Sequence, residues 1–369
     1  MQIAHVTYGY RPITGGGEVY LAQLYRVLEK AGHRQIVFQR PDGAESEELR
    51  VTPNPLRRLP GPFWTQAAFL PLVGGELRKQ DLIISHYPPY LLGAAVARGL
   101  RSRPPLVGIS HGVFWDDRPG SFRSGLKRSL SWLAFRLARA YVANDTNFLR
   151  QMGLKIAPGE GAFSEVAPGV WFIPNAVDTR RFRRTRPIPA LKALNPILVP
   201  RNLFRNRGIH LAIAAFAEFH RAHQRTNLVI VGAASQPSYA ARLRRQAFRL
   251  GLAARVVFRG HVSHKEMAAV YCSSQMTLIP SLCGEGTSLA ALESMACGIC
   301  TLSTNVAGLA DLPTVKSPPT SAGLAAAMSR AWEQREALGQ QQRTTVTRDF
   351  SFTRWRAAWL EVIARAGGA

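Results

Sequence analysis

The sequence predicts an α/β protein, with two doubly wound Rossmann-like domains. Short apolar stretches alternate with longer stretches whose apolar residues recur at helical spacing, and this alternation occurs in each half of the chain. A polar, proline-containing segment separates the two series, as a linker between domains does. Because ligands bind at the carboxyl ends of parallel strands, we expect the two domains to face each other across a ligand-binding cleft.

The first series opens with a predicted strand, a glycine-rich turn, a helix and a second strand, at residues 3–8, 15–17, 18–30 and 36–38. Glycine lets the backbone approach a ligand closely, so Gly16 and Gly17 are candidate binding residues. The dinucleotide fingerprint G-x-G-x-x-G is absent, and a plain flexible turn is the alternative interpretation.

Three further strands are predicted in this half, at residues 81–86, 106–111 and 141–143. Two of them end in a histidine, at the position where a doubly wound sheet binds ligands. We expect a structural role for His86. His111 is followed by Gly112, which permits close approach, and is therefore a candidate site residue.

A basic helix is predicted in the interval from residue 118 to residue 144, which holds six basic residues and no acid. One apolar stripe should face the core, formed by Phe122, Leu126, Leu130, Leu133 and Leu137. Arginines and aromatic residues fall on the opposite face, at Arg128, Trp132, Phe135 and Arg139. Such a face suits an anionic membrane surface. The alternative is a solvated basic helix whose Trp132 packs under a neighbouring loop.

The second series begins after the linker. Its strands are predicted at residues 197–200, 228–232, 256–258 and 276–280, and its helices at residues 209–220, 239–250 and 265–271. We therefore expect a first domain over residues 1–175, a second over residues 176–349, and a C-terminal helix over residues 350–369. The aromatic residues of that helix predict that it docks back across the cleft.

Three arginines, Arg201, Arg205 and Arg207, follow the strand that ends at residue 200. Cations at the carboxyl end of a strand can clamp a phosphate, because the planar guanidinium matches its oxygens.

Two acids, Glu285 and Glu293, lie eight positions apart across a predicted helix start. Thr287 or Ser288 can cap this helix, whose first backbone N–H groups are free for an anionic or hydroxyl-rich ligand. The alternative is a capped surface helix with two solvated acids.

Composition narrows the class of protein. The 369 residues include 47 basic and 23 acidic side chains, a net charge of +24, which favours a polyanionic partner. No apolar run approaches the ~18 residues of a membrane span, and the first residues resemble a strand more than a signal peptide, so we expect a cytoplasmic protein. Cys297 and Cys300 form a C-x-x-C motif, but further ligands at suitable spacing are missing, so we expect free thiols and no metal site.

In order along nearly its full length, the chain resembles the retaining nucleotide-sugar glycosyltransferases of family 4, which have the GT-B fold. Three segments carry this resemblance: the opening residues with Gly16-Gly17-Glu18 and Gly32-His33, the segment Ile173-Pro-Asn-Ala-Val-Asp178, and Glu285 to Glu293, which matches the EX7E motif. It implies a UDP- or GDP-linked sugar as donor substrate and no cofactor.

The resemblance also implies roles for individual residues. Glu293 would bind the ribose of the donor, and Glu285 would meet the transferred sugar at its reacting face. Hydrogen bonds to the sugar and diphosphate would come from backbone or hydroxyl donors of Gly286, Thr287 and Ser288. Val262 would lie beside the nucleobase.

Further roles concern the phosphates and the first domain. Gly16 and Gly17 would approach the diphosphate or acceptor, and His111 matches a histidine near the sugar. Arg207 occupies the position at which the family usually has a phosphate-binding lysine. Asn202 replaces the usual arginine beside it, and the adjacent Arg201 can substitute.

The main hypothesis is therefore retaining transfer of a hexosyl unit to a saccharide or lipid-linked acceptor, in surface polysaccharide or glycolipid synthesis. The enzyme would be peripheral at the inner face of the membrane. A nucleic-acid-binding protein is one alternative, but helix-turn-helix, zinc and RNP signatures are absent, so we expect no nucleic-acid partner. A non-catalytic GT-B relative at the membrane is the other.

Overall fold

The computed structural model describes residues 1–13, 15–41, 45–56, 58, 62–99, 104–115, 120–234 and 236–368. The chain divides into two compact units. The first unit comprises the described residues of Met1–Pro174 and Thr353–Ala369, and the second unit comprises those of Asn175–Phe352.

The first unit contains an eight-stranded sheet within its described residues. Its strands are β1 (Gln2–Val6), β2 (Arg34–Gln39), β3 (Leu49–Val51), β4 (Leu82–Ser85), β5 (Leu106–Ser110), β6 (Ala140–Ala143), β7 (Ser164–Ala167) and β8 (Val170–Phe172). The spatial order is β3-β2-β1-β4-β5-β6-β8-β7, and only β7 runs antiparallel to its neighbour. The order reverses between β1 and β4, which is the doubly wound arrangement.

Helices cover the parallel strands of this sheet. They are α1 (Gly16–Lys30), α2 (Pro62–Ala68), α3 (Gly74–Leu77), α4 (Pro88–Arg98), α5 (Phe122–Leu137) and α6 (Thr146–Gln151), with a 3₁₀ turn at Leu70–Val73. The glycine-rich turn leads directly into α1, whose buried side chains include Leu21, Leu24 and Leu28.

The second unit repeats the arrangement with a six-stranded parallel sheet. Its strands are β9 (Pro196–Pro200), β10 (Asn227–Val231), β11 (Val256–Gly260), β12 (Met276–Ile279), β13 (Thr301–Thr304) and β14 (Val315–Ser317), in the spatial order β11-β10-β9-β12-β13-β14. Its helices are α7 (Pro189–Lys192), α8 (Ile209–His220), α9 (Pro237–Arg249), α10 (Met267–Cys272), α11 (Leu289–Ala296), α12 (Ser321–Trp332) and α13 (Arg335–Asp349). Short 3₁₀ turns lie at Arg205–Arg207 and Ala307–Asp311. The predicted fold class is confirmed.

Both faces of the second sheet are buried, as a parallel sheet requires. Successive residues of β9 serve opposite faces: Ile197 and Val199 pack in one apolar cluster with Phe216 of α8, and Leu198 packs in another with Leu292 of α11. An apolar run without alternation, at residues 197–199, is the sequence signature of this double burial.

A final helix, α14 (Phe352–Gly367), completes the first unit. Trp355 and Trp359 are buried, and the ring of each lies edge-on to Tyr20 of α1. Trp359 Nε1 donates a hydrogen bond to Tyr20 Oη at 2.9 Å. The aromatic side chains of this helix therefore anchor it.

The sequence-based orientation of α5 is wrong. Its buried side chains are Ser124, Ser131 and Ala134. The leucine stripe instead faces solvent, with Phe122, Leu126, Leu133 and Leu137 exposed and Leu130 half-buried. Because α5 packs against α4, small side chains on the contact face let the two helices approach, and the large apolar residues are left outside.

The prediction that Phe135 lies on a membrane-facing surface is also wrong. Its ring is half-buried and packs on the core of the first unit, 4.9 Å from the Tyr141 ring and 6.4 Å from the Phe148 ring. Arg128, Trp132 and Arg139 are exposed. Arg118 lies outside the described residues. None of the helices in the described part of the chain combines the length and apolarity that crossing a bilayer demands.

Candidate functional site

Glu285 lies in the loop between β12 and α11 of the second unit, with only 6% of its surface exposed. Its Oε2 accepts hydrogen bonds from Arg201 Nη2 and Arg207 Nη1, and from Ser281 Oγ at 3.0 Å. Burial alone would raise the pKa of this carboxyl, but Arg201 and Arg207 outweigh burial and the pKa is lowered. Glu285 is therefore a stable anion at neutral pH.

The two arginines reach Glu285 from the end of β9 and from the 3₁₀ turn that follows it. Gly208 ends that turn with a φ of +65°, and a Cβ there would lie 1.8 Å from Pro280 O. Only glycine allows this close approach, which holds the turn against the end of β12. Asn202 does not share the role, since its Oδ1 accepts a hydrogen bond from Ala233 N at 2.9 Å.

Glu293 lies inside α11 and is 7% exposed. Its Oε1 is 2.7 Å from His264 Nε2, and its Oε2 accepts from the Tyr271 hydroxyl at 3.0 Å. These two partners fix the orientation of the carboxylate. No motif in the sequence singles out His264 or Tyr271 as a site residue, so their role at Glu293 is visible only in the structure.

The segment between the two acids is tied down on one side. Thr287 Oγ1 accepts from Asn175 N at 2.7 Å, and Asn175 Nδ2 donates to Thr287 O. Ser288 precedes α11, and its hydroxyl lies 3.4 Å from Arg201 Nη1 without capping the helix. Glu285 and two of the three predicted arginines, Arg201 and Arg207, thus meet just before the start of α11, together with Gly286, which is buried. Glu293 lies one turn inside the helix. The third predicted arginine, Arg205, is exposed.

Val262 lies in the loop after β11. Its side chain is half-buried and packs against the same apolar cluster as Leu292 and Met295 of α11. The loop after β11 and the start of α11 are therefore parts of one edge of the second unit's sheet, where a doubly wound sheet binds its ligands.

The first unit brings three histidines together at the same edge of its own sheet, with His5 and His86 buried and His111 half-buried. His5 lies in β1, and His86 and His111 follow β4 and β5. His5 Nδ1 is 3.2 Å from His86 Nε2, and the rings of His86 and His111 stack at 5.9 Å. Burial lowers the pKa of His5 and of His111 to about 4. Burial and the neighbouring His5 and His111 lower the pKa of His86.

His111 offers one unused hydrogen-bonding atom. The side-chain amide nitrogen of Asn144 lies 3.5 Å from Nδ1, a contact that suits the neutral tautomer with its proton on Nε2. Within the described part of the chain, this buried Nε2 has no hydrogen-bond partner. A buried donor of this kind is suited to a ligand hydroxyl.

The glycine-rich turn lies near this histidine group. A Cβ on Gly17 would be 2.7 Å from the Tyr87 hydroxyl, and the ring of Tyr87 is 5.3 Å from that of His111. Gly16 begins α1 and is exposed. The structure thus brings the predicted residues of the first unit to one edge of its sheet.

Comparison with known proteins identifies the family. The sequence model described as "Glycosyltransferase Family 4" matches residues 14–160, and the one described as "Glycosyl transferases group 1" matches residues 184–336. The chain is 33% identical to a D-inositol 3-phosphate glycosyltransferase of Acidothermus cellulolyticus, over 80% of this chain and 71% of that protein. It is 25% identical to a glycogen synthase of Mycobacterium tuberculosis, over 100% and 96% of the two chains.

A solved structure supports the same fold. The Anabaena protein HepE, in complex with UDP and glucose, superposes with a TM-score of 0.78 at 17% identity, covering 99% of each chain. The fold, the two family matches and the length of the shared sequence agree. The chain belongs to the GT-B glycosyltransferases that combine a family 4 domain with a group 1 domain.

Proposed function

We propose that this glycosyltransferase moves a hexosyl unit from a UDP- or GDP-linked sugar to a hydroxyl of a saccharide or lipid-linked acceptor, with retention of anomeric configuration. Surface polysaccharide or glycolipid synthesis is the proposed setting. The observation that carries the proposal is the Glu285 carboxylate held between Arg201 and Arg207 at the start of α11. UDP and UDP-glucose occur in complexes of HepE, which supports a nucleotide-sugar donor.

Glu293 is the proposed ribose ligand. A carboxylate binds two vicinal hydroxyl groups well when its orientation is fixed, and His264 and Tyr271 fix it here. Val262 would lie against the nucleobase. Gly286, Thr287 and Ser288 would contribute backbone or hydroxyl donors to the sugar and diphosphate, where the N–H groups of the first turn of α11 favour an anion.

The donor diphosphate would compete with Glu285 for the two arginines. Phosphate oxygens accept the same charge-assisted N–H bonds as a carboxylate, so a bound diphosphate can take over donors of Arg201 and Arg207. These cations then stabilise the negative charge that develops as the bond between the sugar C1 and the diphosphate oxygen breaks. Because they supply this positive charge, we propose that the reaction needs no resident metal or cofactor.

Glu285 would act as an anion. Its lowered pKa makes it a poor proton donor, which excludes a general-acid role, and we assign it to electrostatic stabilisation of the oxocarbenium-like C1. The acceptor oxygen forms its bond to C1 on the face that the diphosphate leaves. The acceptor proton passes to the departing phosphate oxygen, which balances the reaction without a further base.

In the first unit, His111 is proposed as a catalytic-site residue whose Nε2–H donates to a sugar hydroxyl. Its burial keeps the ring neutral, and the missing partner of Nε2 motivates this role. Gly16 and Gly17 are proposed to approach the diphosphate or acceptor with their backbone.

The direct test supplies isotope-labelled UDP- and GDP-sugars together with a membrane extract and follows label into lipid and saccharide fractions. Label in either fraction, with the anomeric configuration of the donor, supports the proposal. Binding of DNA at nanomolar affinity without binding of nucleotide sugars would support the nucleic-acid alternative. Nucleotide-sugar binding without any transfer would support the non-catalytic relative.

We also propose that α5 contacts an anionic membrane surface, so that the enzyme works peripherally at the cytoplasmic face of a membrane. Its exposed side is apolar, with Phe122 at 85% and Leu126 at 50% exposure. Exposed cations flank this side, at Arg123, Arg128, Arg136 and Arg139. An interfacial helix needs both features, because apolar side chains enter the headgroup layer and cations meet lipid phosphates.

A further inference from the structure

Cys272 and Cys297 form a pair that the sequence does not suggest, since they lie 25 positions apart while Cys297 and Cys300 form the C-x-x-C motif. Cys272 is the last residue of α10, and Cys297 follows the last residue of α11. The two helices pack together, and one short segment contacts both helix ends. Thr185 N donates to the sulfur of Cys272 at 3.4 Å, and Arg184 Nη2 donates to the carbonyl of Gly298, next to Cys297, at 3.5 Å. Cys297 is buried, whereas Cys272 is half-exposed.

The C-x-x-C motif does not form a pair in the structure. Cys297 belongs to the apolar cluster that includes α11, and Cys300 belongs to the cluster on the other face of the sheet. None of the four cysteines, which all lie in the described part of the chain, forms a disulfide. The partner of Cys297 is therefore the cysteine at the end of α10.

The surroundings of Cys272 favour a thiolate. Thr185 N donates to its sulfur at 3.4 Å, and a Cβ on Gly298, next to Cys297, would contact side-chain atoms of Arg184 and Arg343. The hydrogen bond with Cys297 lowers the pKa of the Cys272 thiol against the opposing effect of burial, and Thr185 and the two arginines lower it further. The thiolate is the reactive form of cysteine.

The pair adjoins the proposed ribose ligand. Tyr271, which donates to Glu293, directly precedes Cys272 along α10. Glu293 lies one helical turn before Cys297, on the same side of α11. A disulfide places its sulfurs about 2 Å apart, closer than a hydrogen-bonded thiol pair, so closing it must draw the ends of α10 and α11 together.

We propose that Cys272 and Cys297 are a redox-sensitive pair that a peroxide converts to a disulfide, and that this disulfide weakens binding of the nucleotide. The Cys272 thiolate attacks hydrogen peroxide, breaks its O–O bond and becomes a sulfenic acid, and the released hydroxide takes a proton to give water. The Cys297 sulfur then displaces the sulfenic oxygen, forming the S–S bond and a second water. Two thiols are oxidised and one peroxide is reduced, and a dithiol reductant reverses the change.

The first experiment treats the protein with hydrogen peroxide and maps disulfides by mass spectrometry of unreduced peptides. A Cys272–Cys297 disulfide, a mass loss of two hydrogens and recovery with a dithiol are the expected results. Cys272→Ser and Cys297→Ala should both lack the disulfide. Cys300→Ala should still form it, and serves as the matched control for a buried thiol. Absence of the disulfide in the wild-type protein, or its linkage to Cys283 or Cys300, would overturn the proposal.

The second experiment measures UDP and GDP affinity before and after oxidation, and this part rests on the proposed function. We expect about tenfold weaker binding after oxidation, as expected for one disturbed charge-assisted hydrogen bond, and no change in Cys272→Ser. Unchanged affinity of the fully oxidised wild type would reject the coupling to the nucleotide site. Reduced protein that binds neither nucleotide would instead contradict the proposed function, while the disulfide itself could still form.

Discussion

Arg201 and Glu285 form a buried ion pair, and the same guanidinium also donates to Ser281 Oγ at 2.7 Å. The pKa of Arg201 is lowered by burial, which the charge of Glu285 partly offsets. A buried charge that loses its partner is costly, so each of these residues needs the other until a ligand arrives. The pair therefore links the proposed phosphate-binding group directly to the proposed catalytic acid.

Glu285→Gln separates these two roles. We expect the rate of transfer to fall about 10²- to 10³-fold, because a neutral amide cannot stabilise positive charge at C1. Affinity for UDP or GDP should be unchanged or higher, because the arginines no longer pair with a carboxylate. Steady-state kinetics and calorimetry measure the two effects. Glu218→Gln, at an exposed position of α8, is the matched control and should alter neither quantity.

Undiminished transfer by Glu285→Gln would remove the catalytic role. Glu293→Gln should give the opposite pattern, with affinity for the nucleotide reduced about tenfold and a smaller effect on the rate of the bound donor. The same response to both substitutions would contradict the division of roles between the two acids.

Arg207→Gln should change the pH dependence of transfer. Two cations hold the pKa of Glu285 down, so removing one raises that pKa. Since the ionised form is active, the acid limb of the kcat profile should move to higher pH. Arg205→Gln is the control, because this exposed arginine lies in the same 3₁₀ turn. An acid limb that stays in place in Arg207→Gln would show that Glu285 does not control it.

The histidine group of His5, His86 and His111 should make the first unit sensitive to acid. Each has a folded-state pKa below the unfolded value of about 6.5, so the unfolded chain binds protons first as the pH falls. The contribution of these histidines to the free energy of unfolding is fully present above about pH 6.5 and is lost as the pH falls towards 4. For His5 the loss at pH 5 should be about 2 kcal/mol.

Urea unfolding followed by tryptophan fluorescence measures this loss, because Trp332 is the only one of the seven tryptophans in the sequence that belongs to the second unit. His5→Gln should lose less stability between pH 7 and pH 5 than the wild type. His261→Gln, at an exposed position, should lose as much as the wild type. Equal pH dependence in all three proteins would exclude the histidine group as the cause.

The exposed side of α5 should bind anionic vesicles. Replacing Leu126 and Leu133 together with Ser should weaken vesicle binding at least tenfold, because about 1.5 kcal/mol or more is lost with each apolar side chain. Trp132→Ala and Arg128→Ala should weaken it less. Flotation with neutral and with anionic lipid measures the binding, and only the anionic vesicles should capture the wild type well.

Phe248→Ser is the matched control for this experiment. Phe248 is 75% exposed on α9, a helix that also carries several arginines, so it tests whether any exposed apolar residue among cations would suffice. It should float like the wild type. Equal flotation of the α5 variants and the wild type would contradict the membrane contact.

The sequence predicts the fold class well because parallel strands buried on both faces are apolar without interruption, and helices between them keep a 3.6-residue period. The weakest predictions concern elements whose pattern is short or mixed. The three-residue strand β3 and the hairpin of β7 with β8 lack a long apolar run, and neither was predicted.

The orientation of α5 illustrates a different limit. Apolar periodicity identifies a stripe but does not say which side of the helix packs inward, and here small residues such as Ala134 form the buried side. For the site, charged residues at strand ends and helix starts indicated Glu285, Glu293 and the arginines. His264 and Tyr271 could not be found in this way, because only the folded backbone brings them to Glu293.

The hydrogen bond between Trp359 and Tyr20 affects the order in which the protein can fold during synthesis. The second unit is continuous in sequence, whereas the first also needs residues 353–367, which the ribosome adds after the whole second unit. The unit translated first is thus the one completed last. Until α14 has been synthesised, Trp355 and Trp359 cannot cover Tyr20 and the apolar surface around it. We expect a chaperone that binds nascent chains to bind this exposed surface.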